Sequence, residues 1–183
     1  MALVTAFPLG LLLGFVRFFR DLASPAIEVL RPIAPVAWAP VLVILYGSVL
    51  GSMLVVFVGA FFPILTNVIF GVRKIDPNWV DATKVLGASK LQTFVKVVIP
   101  SSIPYLMNGV KISMGIGWMC IVSAELYSSA VGGLGSFITS HASVGNWPNV
   151  YAGIVLVGIL GIITVGVAGY LHKIISKKMG MDA

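Results

Sequence analysis

The sequence has few of the residues from which disulfide frameworks, metal clusters and catalytic dyads are built. Its single cysteine, Cys120, lies inside an apolar run, so neither an intrachain disulfide nor a cysteine-based metal site can form. The sequence also contains no Gly-x-x-x-x-Gly-Lys-Ser/Thr phosphate loop and no Gly-x-Ser-x-Gly nucleophile elbow. We therefore expect no enzymatic activity, no ATP hydrolysis and no bound cofactor or metal on this chain.

Charged residues are scarce as well. They make up 10% of the 183 residues, and 58% of the residues are hydrophobic, whereas charged residues are about a quarter of an ordinary soluble protein. The mean hydropathy of +1.05 indicates a protein whose solvent is the bilayer. The net charge of +6 comes from basic residues that stand between the apolar runs and form no continuous patch. This distribution favours orientation in a membrane over nucleic-acid binding.

Five apolar segments are long enough to cross the hydrocarbon core, so the sequence predicts an all-α polytopic membrane helical bundle. The five predicted spans are 2–19, 25–47, 48–72, 102–125 and 149–171. The second segment contains Pro32, Pro35 and Pro40, and each proline removes a backbone donor. Because lipid cannot satisfy the backbone groups that prolines free, we expect this segment to be broken and to face the interior of the bundle.

The basic residues orient the predicted spans. If the five spans alternate, the loops near Gly47 and at 127–148 share one side of the membrane and carry no lysine or arginine. The basic residues assigned to the other side are Arg17, Arg20, Arg31, Arg73, Lys74, Lys84, Lys90, Lys96, Lys173, Lys177 and Lys178. By the positive-inside rule, that side is the cytoplasm, and the C-terminus lies there. His141 and His172 then lie on opposite sides and cannot share a dyad or a metal ion.

The longest stretch that is charged and also has a helical pattern of apolar residues is Asp81–Pro100, and the helix that leads into it is predicted to start at Asp76. Asp76 is followed by proline, a combination typical of a helix start, and Gly87 can take the left-handed backbone that ends a helix. Ser89 and Gln92 have the spacing of a capping box, which predicts a second helix that continues to Pro100. The stretch is therefore predicted to be two short helices joined by a bend.

The bend and its flanking lysines suggest a surface for a partner. Gly87 and Ala88 are small enough to let another protein approach the backbone, and Lys84, Lys90 and Lys96 give the unit a basic face. Such a face suits a groove with acidic edges. An amphipathic basic helix pair can equally lie on the membrane surface. The local pattern leaves both interpretations open.

This stretch resembles the cytoplasmic docking loop of ATP-binding-cassette (ABC) importer permeases. The pattern of that loop is Glu-Ala-Ala, three residues, Gly, nine residues, Ile, one residue, Leu-Pro. The matching positions, with the full spacing kept, are Asp81, Ala82, Thr83, Gly87, Val97, Ile99 and Pro100. The departures are Asp for Glu, Thr for the second Ala, Val for Ile and Ile for Leu, and all are close in size or charge. Together with Ala88 at the bend, these residues are the predicted ATPase-docking site.

Two further blocks, Leu30–Pro40 and Gly59–Asn67, look like the signature of the nitrate, sulfonate, taurine and bicarbonate branch of these permeases. The resemblance implies one type I importer-like permease domain over 1–183, with a cytoplasmic coupling loop at 76–100, in the inner membrane. It implies as partners ABC ATPase subunits that bind the ATP, a periplasmic or lipid-anchored solute-binding protein, a second permease copy and membrane lipid, with no nucleic acid. Permeases of this kind carry further sequence and at least one more helix ahead of this point, so we expect the chain to be N-terminally truncated.

Three charged residues inside the predicted spans are candidates for the solute pathway. Lys111 could attract an anionic solute or extend its stem towards the cytoplasmic interface. Glu125 could act as a gate or as a helix-packing acid, and Arg31 could contact solute or pair with Glu28. The resemblance favours a small anion, namely nitrate, a sulfonate, taurine or bicarbonate. An ATP-independent channel or carrier and a nonfunctional permease fragment are the alternative functions.

Overall fold

The computed structural model describes residues 1–127 and 132–178, and this part of the chain consists of helices joined by short turns, with no strand. The α-helices in chain order are α1 (Ala2–Phe15), α2 (Arg17–Leu30), α3 (Ala39–Arg73), α4 (Pro77–Val85), α5 (Lys90–Thr93), α6 (Ile99–Leu126), α7 (Leu134–Ser143) and α8 (Trp147–Lys178). A 3₁₀ turn, Pro35–Trp38, precedes α3, and a π-helical segment, Phe94–Val98, joins α5 to α6. The predicted all-α class is confirmed.

Three stretches of the described residues are long and apolar enough to cross a membrane: Pro35–Arg73, Lys90–Leu126 and Trp147–Lys177. They contain the predicted third, fourth and fifth spans. The first predicted span is shorter than expected, because α1 ends at Phe15 and Val16 has extended backbone with φ −102° and ψ 110°. The chain restarts at Arg17 as a separate, strongly amphipathic helix.

The second predicted span is not one helix, and the break expected from its prolines is confirmed. Segment 25–47 is divided among the end of α2, the 3₁₀ turn and the start of α3. Ala34 has ψ 123°, as expected for a residue that precedes a proline, and Pro35 then opens the 3₁₀ turn. The proline at position 40 lies in the first turn of α3, where its missing N–H breaks no helical hydrogen bond.

The long helix α3 contains a sharp reversal at Gly47, which has φ 80° and ψ 172°. A Cβ atom placed on Gly51 would lie 2.5 Å from the Cα of Val43, and one on Gly59 would lie 3.5 Å from the Cβ of Pro35. Both pairs are centred on Gly47, so residues 35–46 run back along residues 48–59 as a tight helical hairpin. The positive φ at its tip is a conformation that glycine adopts at little cost.

The remaining helices pack around the second half of α3. Helix α1 runs parallel to it, since Gly10 contacts Val68 and Gly14 contacts Val72. Helix α6 runs antiparallel to it, since Tyr105 lies against Gly71 and Cys120 lies against Gly59. The core at this interface is centred on buried aliphatic side chains: Leu11, Leu13, Ile64, Leu65, Val68, Val98 and Leu106.

Helix α8 packs antiparallel to α6 on the other side. The indole Nε1 of Trp118 donates a hydrogen bond of 2.7 Å to Thr164 Oγ1, and a Cβ atom on Gly169 would lie 3.5 Å from Cε of Lys111. The C-terminal ends of α1, α3 and α8 and the start of α6 therefore share one end of the bundle. The loop 76–100 lies at that end, and α7 lies at the opposite one.

Candidate functional site

The first helix of the candidate docking loop begins as the sequence predicts. The backbone N–H of Asn78 donates to Asp76 Oδ1 at 2.9 Å, and Pro77 is the first residue of α4. An aspartate that caps an N-terminus satisfies one of the free N–H groups of the first turn. The start of the loop is therefore held by a residue of the loop itself.

The bend at Gly87 is a complete Schellman motif. Gly87 has φ 75°, its N–H donates to Lys84 O at 2.9 Å, and the N–H of Ala88 donates to Thr83 O at 2.9 Å. A Cβ atom on Gly87 would meet no heavy atom within 4 Å. The predicted bend is confirmed, and the space in front of it is open.

The second helix of the loop starts as predicted but does not stop at Pro100. Ser89 and Gln92 form the expected capping box, but α5 ends at Thr93 and the chain continues as a π-helical turn. The N–H of Ile99 donates to Phe94 O, five residues earlier. Pro100 does not end the helix as predicted and lies in the first turn of α6. Proline has no N–H and its ring clashes with the carbonyl four residues earlier, which explains the wider turn before it.

A hydroxyl pair joins the two sides of the bend. Thr83 Oγ1 and Thr93 Oγ1 are 2.9 Å apart, and Thr83 donates its only hydroxyl proton to Val80 O at 2.7 Å. Thr93 is therefore the donor in the pair, and it is only 5% exposed. Thr83 is a departure from the docking pattern, and this contact gives it a structural role. Nothing in the local pattern of the sequence singles out Thr93.

Two exposed apolar residues form the tip of the loop. Val85 is 87% exposed and Leu86 is 84% exposed, immediately before Gly87. Sequence reasoning did not select them as site residues. The available signal is that two adjacent apolar residues at the end of a short helix cannot both face the same core. An exposed apolar tip is typical of a contact with another protein.

The other predicted docking residues lie around this tip. Ala82 is exposed, and Asp81 forms an exposed ion pair of 2.7 Å with Lys84. Both partners of that pair also line a cavity of about 590 Å³ between α4 and the end of α1. Val97 is half-buried in the π-helical turn, and Ile99 packs against the core of the bundle. The candidate docking site thus extends from the exposed tip, Val85 and Leu86, to Ile99, which packs against the core of the bundle.

A cavity of about 230 Å³ lies inside the bundle between the hairpin of α3, α6 and the residue after α2. Among the residues that the structure describes, Arg31 is the only charged one that lines it, and Thr66 and Asn67 add polar groups. The amide of Asn67 is fixed in place, because its Nδ2 donates to Pro63 O at 2.8 Å and its Oδ1 accepts from Asn108 Nδ2 at 2.8 Å. The predicted pathway residue Arg31, which is itself exposed, therefore lines a largely apolar cavity beside the hairpin, together with these two polar residues.

The other two pathway candidates do not line this cavity. Lys111 is exposed on the side of α6 that meets α8, with its stem beside Gly169. The carboxylate of Glu125 accepts a 2.7 Å hydrogen bond from the N–H of Gly135, in the first turn of α7. That contact is the helix-packing role left open for Glu125. Neither of the two ion pairs in the described residues includes Arg31, so the alternative pairing with Glu28 is not formed.

Comparisons with known proteins agree with this arrangement. Residues 6–180 match the family described as binding-protein-dependent transport system inner membrane component. The chain is 39% identical over 164 residues to a protein of Methanocaldococcus jannaschii that is named for an ABC transporter permease, covering 89% of this chain and 61% of the relative. It is 33% identical over 172 residues to the nitrate import permease protein NrtB of Leptolyngbya laminosa, covering 93% of this chain and 61% of the relative.

A bicarbonate permease gives a similar match. The chain is 30% identical over 180 residues to the bicarbonate transport system permease protein CmpB of Synechococcus elongatus, covering 98% of this chain and 65% of the relative. The chain thus spans less than two thirds of the length of each of these relatives. The match to the family nevertheless covers nearly all of the chain. The chain therefore belongs to the family of inner-membrane permease components of ABC, binding-protein-dependent transport systems.

Proposed function

We propose that this chain forms the translocation pathway of an importer for a small inorganic anion, working by ATP-driven alternating access. The observation that carries the proposal is the joint presence of a docking loop at one end of the bundle and an arginine-lined cavity inside it. Relatives in the same branch are named for nitrate and for bicarbonate import. Both solutes are small, flat anions that a cavity of about 230 Å³ can hold.

Arg31 and the amide of Asn67 supply the chemistry for such an anion. A guanidinium presents several N–H donors in one plane, which matches the oxygen atoms of nitrate or bicarbonate. Arg31 is in neither of the two ion pairs of the described residues, so its guanidinium group is available to an anion. Nitrate and bicarbonate are preferred over sulfonates or taurine, because relatives of this chain are named for nitrate and for bicarbonate import.

The proposed partners follow from the family and from the loop. ABC ATPase subunits bind at 76–100 and hydrolyse the ATP, so this chain needs no cofactor of its own. A second permease copy completes the pathway, and a periplasmic or lipid-anchored binding protein delivers the solute to the end of the bundle where α7 lies. The loop 76–100 and the C-terminal end of α8 then face the cytoplasm, and the chain is a multi-pass protein of the inner membrane.

The mechanism begins at the exposed tip. Closure of the ATPases moves Val85 and Leu86, and the Schellman motif and the threonine pair make the two loop helices move as one unit. The π-helical turn passes this movement to α6. Since α6 lines the cavity with Ile112 and packs on α3, its tilt opens the cavity to one side of the membrane at a time.

The experiment compares Arg31→Gln with the unchanged chain, each assembled with its ATPase and binding protein in proteoliposomes. Loss of a charge-assisted hydrogen bond, worth roughly 1.5–3 kcal/mol, should raise the half-saturating anion concentration for uptake at least tenfold. Lys111→Gln removes a lysine that lies outside the cavity, and it should change the half-saturating anion concentration less than twofold. Equal uptake by Arg31→Gln and the unchanged chain would remove Arg31 from the pathway.

A parallel measurement separates the importer from an ATP-independent channel or carrier. The tagged chain is purified from native membranes in mild detergent, and co-purifying proteins are identified by mass spectrometry. An ABC ATPase in the complex, together with anion uptake that stops when ATP is removed, supports the importer. Uptake that continues without ATP would favour the channel or carrier, and no uptake from an intact complex would favour a nonfunctional fragment.

A further inference from the structure

A second groove, of about 600 Å³, lies between the C-terminal half of α1 and the start of α5. Leu12 and Phe15 belong to its α1 wall, and Leu91 and Phe94 belong to its docking-loop wall. The rings of Phe15 and Phe94 meet edge to face with centroids 5.1 Å apart. Within residues 1–127 and 132–178, Lys90 is the only charged residue that lines the groove. The groove is thus apolar along its length, with a single cation where the docking loop begins.

The groove lies at the boundary of the membrane. Helix α1 ends beside the last turn of α3, where Gly14 contacts Val72, and Arg73 and Lys74 follow directly. A change from apolar to basic residues at a helix end marks the level at which hydrocarbon gives way to lipid headgroups. The α1 wall therefore lies at the depth of acyl chains, and Lys90 lies towards the headgroups.

The charge of Lys90 has no acidic partner in the part of the chain that the structure describes. The two ion pairs of the described residues are Arg20 with Asp21 and Lys84 with Asp81, and no carboxylate lines the groove. Beside this ammonium group, Leu91 is 71% exposed and Leu12 is 42% exposed. A ligand that fits must combine a long apolar chain with an anionic group, and both belong to the anionic phospholipids of a bilayer.

We propose that this groove binds one anionic phospholipid, with an acyl chain between α1 and the docking loop and its phosphate on the ammonium group of Lys90. Its two walls come from distant parts of the sequence, so the lipid holds the docking loop against α1. The site is separate from the anion cavity and concerns how the membrane regulates docking. It would make association with the ATPase depend on the anionic lipid content of the membrane.

The test uses the purified full chain in detergent, without ATPase, titrated with dioleoyl phosphatidylglycerol and measured by native mass spectrometry. We expect one phosphatidylglycerol to bind in preference to phosphatidylcholine. Lys90→Gln should weaken this binding about fivefold, which is the effect of one basic residue near an anionic lipid surface. Lys96→Gln is the matched control, because Lys96 is an exposed lysine of the same loop that does not line the groove.

The acyl-chain half of the proposal has its own test. Leu12→Trp fills the groove and keeps Lys90, so it should also weaken phosphatidylglycerol binding several-fold. Phosphatidylglycerol binding that neither Lys90→Gln nor Leu12→Trp alters would overturn the proposal, as would equal competition by inorganic phosphate, which would reveal a free-anion site. Because this assay involves neither transport nor ATPase, its failure would leave the proposed import function untouched.

Discussion

At the scale of single residues, the docking loop exposes apolar side chains where a soluble surface would carry polar ones. Val85 and Leu86 are almost fully exposed, yet the helix that carries them is capped at both ends and needs no further support. An apolar residue is usually accounted for by the burial of its side chain in a core, and these two side chains are not buried. Their exposure therefore favours a role in binding a partner.

Replacing Val85 with Asp tests that role. A carboxylate buried without a partner in the docked interface costs several kcal/mol, so we expect at least a tenfold loss of ATPase association. The measurement is the amount of ATPase retained by the tagged chain in detergent. The matched control is Val144→Asp, since Val144 is 74% exposed at the opposite end of the bundle. Equal retention by both variants would contradict the assignment of the tip.

At the scale of elements, the bend at Gly87 sets the angle between two helices through the backbone hydrogen bonds of its Schellman motif, and the Thr83–Thr93 hydroxyl pair adds a side-chain link. Its left-handed conformation costs a residue other than glycine roughly 1–2 kcal/mol, and the space in front of it is empty. A large side chain there would strain the bend and occupy the space that a partner needs.

Gly87→Arg should therefore abolish association with the ATPase while leaving membrane insertion intact. Gly145→Arg is a closely matched control. Gly145 also has a positive φ, 72°, and a Cβ atom placed on it would meet no heavy atom within 4 Å, but it lies at the other end of the bundle. The same backbone strain is then imposed away from the loop. If Gly145→Arg lost the ATPase as completely as Gly87→Arg, the effect would come from general destabilisation.

Sequence reasoning recovered those elements of the loop that depend on local chemistry. Asp76, Gly87 and the Ser89–Gln92 box are each decided by residues within four positions, and each was confirmed. The π-helical turn was missed because it arises from the geometry around Pro100 and not from a periodic pattern. The threonine pair was missed because it joins positions ten residues apart across a bend. The pattern of apolar residues along a sequence does not predict contacts of this kind.

At the scale of the whole molecule, the sequence predicted the third, fourth and fifth spans and the proline break in the second, but it did not predict that the first span ends at Phe15. The hairpin at Gly47 places Pro35 beside Gly59, and that contact depends on a reversal that hydropathy does not report. The cavity depends on the same reversal, together with the packing of α6. Arg31 could be selected from the sequence as a charge in an apolar segment, but its position in a cavity required the fold.

The orientation of the whole chain is a prediction that single cysteines can test. The natural Cys120 is fully buried, so the unchanged chain should resist a membrane-impermeant maleimide. Val144→Cys should react in intact spheroplasts, whereas Val85→Cys should react only after the membrane is permeabilised. Because both sites are highly exposed, labelling of one introduced thiol is the control for the chemical reactivity of the other. Labelling with the reverse pattern would invert the proposed topology.

The hairpin at Gly47 also bears on how the protein is made. Its two arms are near neighbours in sequence, so closing the loop between them costs little entropy, and they can pair soon after synthesis. Residues 35–59 leave the ribosome before α6 has been made. We therefore expect the wall formed by Pro35 and Gly59 to assemble first and α6 to close over it. Under that order of biogenesis, the cavity lies at the interface between a unit that folds early and one that folds late. Such an interface is a suitable place for the two units to separate and close again during the proposed transport cycle.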